Sequence, residues 1–333
     1  MLSALGLGSS AFGEVYESGV TQEQVDEVVH CAIKAGVNVI DTAFWYGQGL
    51  AEERLGKALQ HIPRQAYYVH TKCCRYEKDV DKMFDFSAER TLAAVDDAIA
   101  RLGCGYLDAM QIHDPEYAPS VDILVEQTLP ALQKAKDAGK IKQIGLTGYP
   151  LALHRELIER STVQIDTCLF YCHYSMHDTS LVDSGMLDFL DAKGVGCLNA
   201  SPLSMGLLTE RGPPAWHPAT PEIKAVCRDA AMYCKAEGVA LPRLAVDFSL
   251  RHPRIPTTFL STNFVEQMER NIDAVRNLGK LSEKEQAVEK HINTTFFEPL
   301  GNASWEGVEL KAFADLKQRV ADGDTNAGTI STI

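Results

Sequence analysis

Along the chain, short aliphatic and β-branched runs alternate with longer stretches in which apolar positions recur every three to four residues. LGLGSS precedes TQEQVDEVVHCAIKAG, VNVIDT precedes LAEERLGKALQ, and AYYVHTK precedes SAERTLAAVDDAIARLG. The beat continues with YLDAMQIH and VDILVEQTLPALQKAKDAG, KQIGLTG and LALHRELIER, QIDTCLFYCHY and LVDSGMLDFLDAKG. VGCLNASP then leads into EIKAVCRDAAMYCKAEG, and IPTTFLST into FVEQMERNIDAV. The strand segments are nearly continuous in apolar residues, as expected of parallel strands covered on both faces by crossover helices. Gly36, Gly139, Gly194 and Gly238 each follow a helical run, where a left-handed C-terminal cap favours a residue without Cβ.

Eight strand–helix units without an interrupting linker predict a single-domain α/β fold, a (β/α)8 TIM barrel over about residues 4–280. A doubly wound sheet would want G-x-G-x-x-G after its first strand, and here Gly6 and Gly8 are followed by Gly13, the wrong spacing. Two segments exceed a minimal barrel: the Pro-rich loop RGPPAWHPATPE at 211–222, and LPRLAVDFSLRH, which reads as an extra helix before strand eight. Residues 281–333 read as one more helix, a loop with Trp305 and a polar tail. Loops over the C-terminal face of a barrel shape substrate pockets, and surface elaboration accounts equally well for either segment alone.

Composition narrows the partners. The chain is 45% hydrophobic, enough for a large core, and its formal charge of -13 opposes a nucleic-acid or anionic-membrane partner. MLSALGLGSSAFG has no basic n-region, and no stretch approaches the roughly 18 apolar residues of a membrane span. A cytoplasmic protein is expected. Its nine cysteines are odd in number and lie mostly in apolar runs, as free thiols do in a reducing compartment. Cys168, Cys172 and His173 have ligand chemistry, but no second Cys or His pair accompanies them, so no metal site is predicted.

Polar residues at the C-terminal ends of barrel strands converge on one mouth. Strand two ends at Asp41 and is followed by Tyr46, strand three ends in HTK with Lys72, and strand four ends in QIHD with His113. Singly, these could be a cap, a packed ring, a solvated lysine and a core histidine. Together they form a proton relay without a nucleophile. Asp41 would orient the Lys72 ammonium, the ammonium would favour the Tyr46 phenolate, and His113 would hydrogen-bond the reacting oxygen.

GVNVIDTAFWYG, HTK and QIHDPE resemble the corresponding motifs of the aldo-keto reductases over about residues 4–280. The resemblance implies a barrel that binds a nicotinamide cofactor without a Rossmann fold, with Asp41, Tyr46, Lys72 and His113 as its catalytic tetrad. FDFSAERTLAAVDDAIARL, YCHYSMHD and ASPLSMGLLTERGPPAWHPATPE are similar to family members that oxidise the anomeric carbon of L-galactose-type sugars to a lactone with NAD, on a route to ascorbate. The implied partner is therefore a small sugar.

The same resemblance implies cofactor contacts from Thr147 to the carboxamide, from Ser201, Leu203 and Gly206 to the pyrophosphate, and from Ser261, Asn263, Gln267 and Asn271 toward the adenosine. Gly148 stands where the family usually has Asn, no Gln follows strand six, and Ala200 replaces a stacking aromatic, leaving room for Tyr171 or Phe170. A 2′-phosphate would want a charge-assisted partner, and the stretch 261–271 has none in the usual place, with Arg270 able to swing in. NAD is expected over NADP. The alternatives are an NADPH-dependent aldehyde or ketone reductase, against which Asn263 argues, and a non-catalytic binding subunit, against which the intact tetrad argues.

Overall fold

A computed structural model describes residues 1–324. Among them, eight parallel strands close into a barrel in chain order: β1 Leu5–Gly8, β2 Val39–Asp41, β3 Tyr68–Cys73, β4 Leu107–His113, β5 Ile141–Gly148, β6 Thr167–Tyr171, β7 Gly196–Ala200 and β8 Thr258–Ser261. Closure comes from the pairing of β1 with β8, in the register Leu5↔Thr258 through Gly8↔Ser261. Just beyond it, the Ala11 N–H donates to Ser261 Oγ at 2.9 Å. The predicted TIM barrel is the observed fold.

Strand residues alternate between two apolar environments, which is why the strands read as continuous apolar runs. Val39, Leu169, Leu198 and Phe259 fill the barrel interior. Ile40, Val69, Met110, Ile112, Ile144 and Phe170 face outward into the layer beneath the helices. The first helix, Gln22–Lys34, starts at a capping box between Thr21 and Gln24, and Gly103 and Gly194 close later helices in the left-handed conformation.

The segment before β8 forms the expected extra helix, Leu241–Leu250. The Pro-rich loop is shorter than expected: Thr220 Oγ1 accepts the Ile223 N–H at 3.3 Å and starts the helix Pro221–Ala236. The C-terminal reading needs a larger correction. After the helix Glu283–Ile292 comes a second one, Val308–Ala321, where a polar tail is expected from sequence. Trp305 anchors this extension, fully buried 5.1 Å from the rings of both Tyr149 and His217. The remainder of the expected tail, 325–333, lies outside the described residues.

Candidate active site

Asp41 ends β2 and His113 ends β4, Lys72 is the penultimate residue of β3, and Tyr46 lies in the turn after β2. The barrel brings all four together. Lys72 Nζ donates to Asp41 Oδ1 in a buried ion pair, to the Thr42 carbonyl at 2.8 Å and to Tyr46 Oη at 3.4 Å. The second Asp41 oxygen accepts from Gln111 Nε2 at 2.7 Å. Gln111 has room to reach it because Gly145 stands beside it on β5: a Cβ there would lie 2.7 Å from Gln111 Cγ. The Tyr46 and His113 rings meet edge to face with centroids 6.2 Å apart.

Electrostatics assign the roles. Burial alone would lower Lys72, but Asp41 and Tyr46 outweigh it and hold the ammonium above its usual range. Burial pushes His113 down to about 3, with Asp114 opposing and Lys72 and Arg75 assisting, so the imidazole is neutral. For Tyr46 the expected pull of Lys72 is present but is not the largest influence. Lys72 does pull its phenol down, but burial pushes it up more strongly and Asp41 adds to the rise, so it stands above an ordinary tyrosine. At neutral pH, Tyr46 is a phenol.

A cavity of about 320 Å³ opens from Asp41 and Tyr46 across the ends of β7, β8 and β1. Ser201, Leu203, Gly206, Ser261, Asn263 and Gln267, six of the eight expected cofactor residues, line it. Ser201, Ser204 and Met205 have positive φ (60°, 46° and 51°), the backbone of a tight turn in which the Ser201, Ser204 and Gly206 N–H groups donate to the Phe259, Ser201 and Leu203 carbonyls. The Gln267 amide oxygen accepts from Thr262 Oγ1 at 2.7 Å, which leaves its amide nitrogen to donate. These residues fit an elongated ligand carrying phosphates and a ribose.

The remaining two expected residues lie elsewhere. Thr147 is buried at the end of β5 opposite His113, and Asn271 is half-buried in the helix Val265–Arg276; neither lines the cavity. Arg270 is exposed, with its guanidinium on the Glu266 carbonyl. The cation among the lining residues is Arg211, from the Pro-rich loop, ion-paired with Glu17. Sequence reasoning missed it by searching only 261–271.

Two departures at the mouth acquire physical reasons. Phe170 is fully buried on the outer face, 4.8 Å from the His154 ring, so it is not available to stack in the mouth. Tyr171 is the ring beside Ala200, its partner in the β6–β7 register. Gly148 is small because the Glu116 carboxylate occupies its side-chain space: a Cβ there would lie 2.5 Å from Glu116 Oε2. Glu116 Oε1 accepts the Tyr149 N–H at 3.0 Å, and burial, reinforced by Asp114, raises this carboxyl to about 8.

The model of the aldo/keto reductase family matches residues 4–293, the barrel and all four relay residues. The chain belongs to this family. This aldo/keto reductase is 39% identical to L-galactose dehydrogenase from Arabidopsis thaliana over 307 residues, covering 91% of this chain and 93% of that one. It is 28% identical to D-arabinose 1-dehydrogenase from Saccharomyces cerevisiae, again over 91% and 93%. An aldo/keto reductase from Klebsiella pneumoniae, solved in complex with NADP and acetate, superposes with a TM-score of 0.66 at 20% identity, over 88% and 92% of the two chains. Family membership makes the protein a nicotinamide-dependent oxidoreductase. No helix among its described residues is long and apolar enough to cross a membrane, and none of their His, Cys, Asp and Glu clusters could hold a metal ion.

Besides Arg211, sequence reasoning missed Gln111, Arg75, Asp114 and Glu116. Their only linear signal is proximity to Lys72 and His113. Their partners are set by strand register, which a single sequence does not display.

Proposed function

We propose that this protein is a cytoplasmic enzyme that oxidises a free aldose at C1 to its lactone with NAD, L-galactose being the first sugar to test. The tetrad geometry carries the oxidoreductase part: Lys72 joins Asp41 and Tyr46 in one hydrogen-bonded set at the end of the cavity. Similarity to L-galactose dehydrogenase and D-arabinose 1-dehydrogenase supports a sugar substrate. The nine free cysteines suit a reducing compartment.

A bound nicotinamide would supply the hydride acceptor. Tyr46 would take the proton of the anomeric hydroxyl while the C1–H bonding pair departs as hydride and a second C1–O bond forms. The neutral His113 would hold that oxygen through its one N–H, and Lys72, kept charged by Asp41, would stabilise the phenolate form that accepts the proton. The ring oxygen is already bonded to C1, so the lactone forms without water.

NAD is favoured because Asn263 and Gln267 line the adenosine end without a cation from the loop after β8. Arg211 favours the second reading, an NADPH-dependent aldehyde or ketone reductase, since it lines the same cavity. Purified protein mixed with NAD or NADP and a panel of aldoses, with reduced nicotinamide followed by absorbance, separates the two. Turnover of L-galactose or a related aldose with NAD is expected. Aldehyde reduction with NADPH and no aldose turnover would replace the first reading by the second.

A further inference from the structure

We propose that Asp114 hydrogen-bonds the hydroxyl adjacent to the reacting carbon and so selects substrates that carry an oxygen at C2. This rests on the sugar-oxidation reading above.

The cavity assigned to the cofactor reaches Asp41 and Tyr46 from β7, β8 and β1. The flank of β3 and β4 remains for the substrate, and a buried carboxylate stands on it. Asp114 Oδ2 lies 3.7 Å from His113 Nε2, the nitrogen placed to hold the reacting oxygen. An oxygen on the neighbouring carbon of a sugar is the next polar atom beyond that one, and Asp114 is the acceptor beside it.

Three features make this carboxylate a built acceptor. Asp114 takes a left-handed backbone, φ 50° and ψ 61°, immediately after the strand, an uncommon state for a residue with a Cβ. Arg75 holds Oδ2 at 2.6 Å in a buried pair. The Arg75 guanidinium is in turn stacked 4.1 Å from the Trp45 ring centroid and 5.5 Å from that of Phe84. The charge is therefore fixed in position before substrate arrives. Glu116, two residues on, has a shielded Oε2 with no partner among the described residues, a second polar group on the same flank.

A substrate without the C2 oxygen would leave Asp114 its Arg75 partner but remove the one bond that a C2 hydroxyl would add in this desolvated place, where a missing polar partner discriminates strongly. The test compares an aldose with its 2-deoxy analogue on wild type, Asp114→Asn and Asp114→Ala, with cofactor dissociation constants measured in parallel. Wild type should lose roughly ten- to a hundred-fold in kcat/KM on the 2-deoxy sugar. Asp114→Ala should lose a similar factor on the parent sugar and almost nothing further on the analogue, with cofactor affinity unchanged. Asp114→Asn keeps an acceptor for Arg75 and should fall between, so it reports even if the Ala variant folds poorly.

Wild-type turnover of the 2-deoxy sugar within about threefold of the parent would overturn the proposal, as would equal losses on both sugars in the Asn variant. If wild type oxidises no aldose but reduces aldehydes, the functional reading fails separately. The same comparison then runs in reduction with glycolaldehyde and acetaldehyde, and an equal response of the Asn variant to both would again overturn the role of Asp114.

Discussion

At the β7–β8–β1 flank the barrel mouth is lined by serines, glycines, prolines and left-handed backbone, whereas at the β3–β4 flank it is lined by the Arg75–Asp114 pair and aromatic rings. On the second flank, Phe84 and Tyr117 stack at 4.4 Å, and Phe313 from the C-terminal helix meets both edge on, at 5.4 Å and 5.2 Å. Small hydroxyl and amide side chains on closely approaching backbone suit a ligand shared by many relatives, because they can read phosphate and ribose regardless of what is oxidised. Fixed charges backed by rings suit the ligand that differs from one enzyme to the next. The tetrad lies where the two flanks meet.

Removing the proton carrier at that junction should disable both flanks' product at once. Tyr46→Phe should lower kcat by roughly 10²–10⁴-fold while leaving the cofactor dissociation constant near wild type. Steady-state rates on an aldose and a fluorescence titration with cofactor check this, and a variant retaining a third of wild-type kcat would remove Tyr46 from the relay.

Phe313→Ala tests whether the C-terminal helix belongs to the substrate flank alone. Loss of this largely buried ring should destabilise the protein by about 3 kcal/mol and raise KM for sugar. Cofactor affinity, measured below the melting transition, should stay put. Asn263→Arg tests the other flank: a guanidinium there should shift preference toward NADP by roughly ten- to a hundred-fold, less if the site is wet. Dissociation constants for both cofactors at fixed salt decide it, and tighter NADP than NAD binding by wild type would defeat the cofactor assignment outright.

The raised pKa of Tyr46 gives a directional prediction. Oxidation needs the phenolate, which is depleted below that pKa, so the oxidative rate should climb as pH rises through the neutral and mildly alkaline range. Reduction needs the phenol and should fall only at high pH. Lys72→Met removes the charge that pulls the phenol down, so the oxidative profile should move to still higher pH; an unmoved profile with chemistry rate-limiting would contradict the relay. The smallest effect is expected from Arg211→Met, which opens an exposed ion pair with Glu17 at the cavity rim. It should weaken cofactor binding only a few-fold and leave sugar KM unchanged, as titrations at two salt concentrations would show.

The barrel was legible because its periodicity is local: an apolar strand followed by an amphipathic helix repeats eight times, several of the helices ending at glycine. The helix Val308–Ala321 was not, since Phe313 is its one buried side chain and the rest of its face reads as polar. In the site, Asp41, Lys72 and His113 stand at strand ends and Tyr46 in the turn after β2, and all four could be placed from sequence. Gln111, Asp114 and Glu116 act through residues on other strands, so neither their partners nor the reason for Gly145 and Gly148 is written in any short segment. That burial outweighs Lys72 at Tyr46 was not legible, because burial of a loop phenol depends on everything packed around it.

The β1–β8 seam joins residues about 250 positions apart, and the cavity proposed for the cofactor lies across it. Contacts so distant in sequence form late, after most of the loop-closure entropy has been spent. A cofactor that grips both sides of the seam can therefore bind only a chain that has already closed. It would leave the rate of folding nearly unchanged and act on the way back, slowing the opening of the barrel. At a concentration a hundred times its dissociation constant, that hold amounts to about 2.7 kcal/mol. In a cell, the coenzyme supply would set how long each folded copy survives as well as how fast it works.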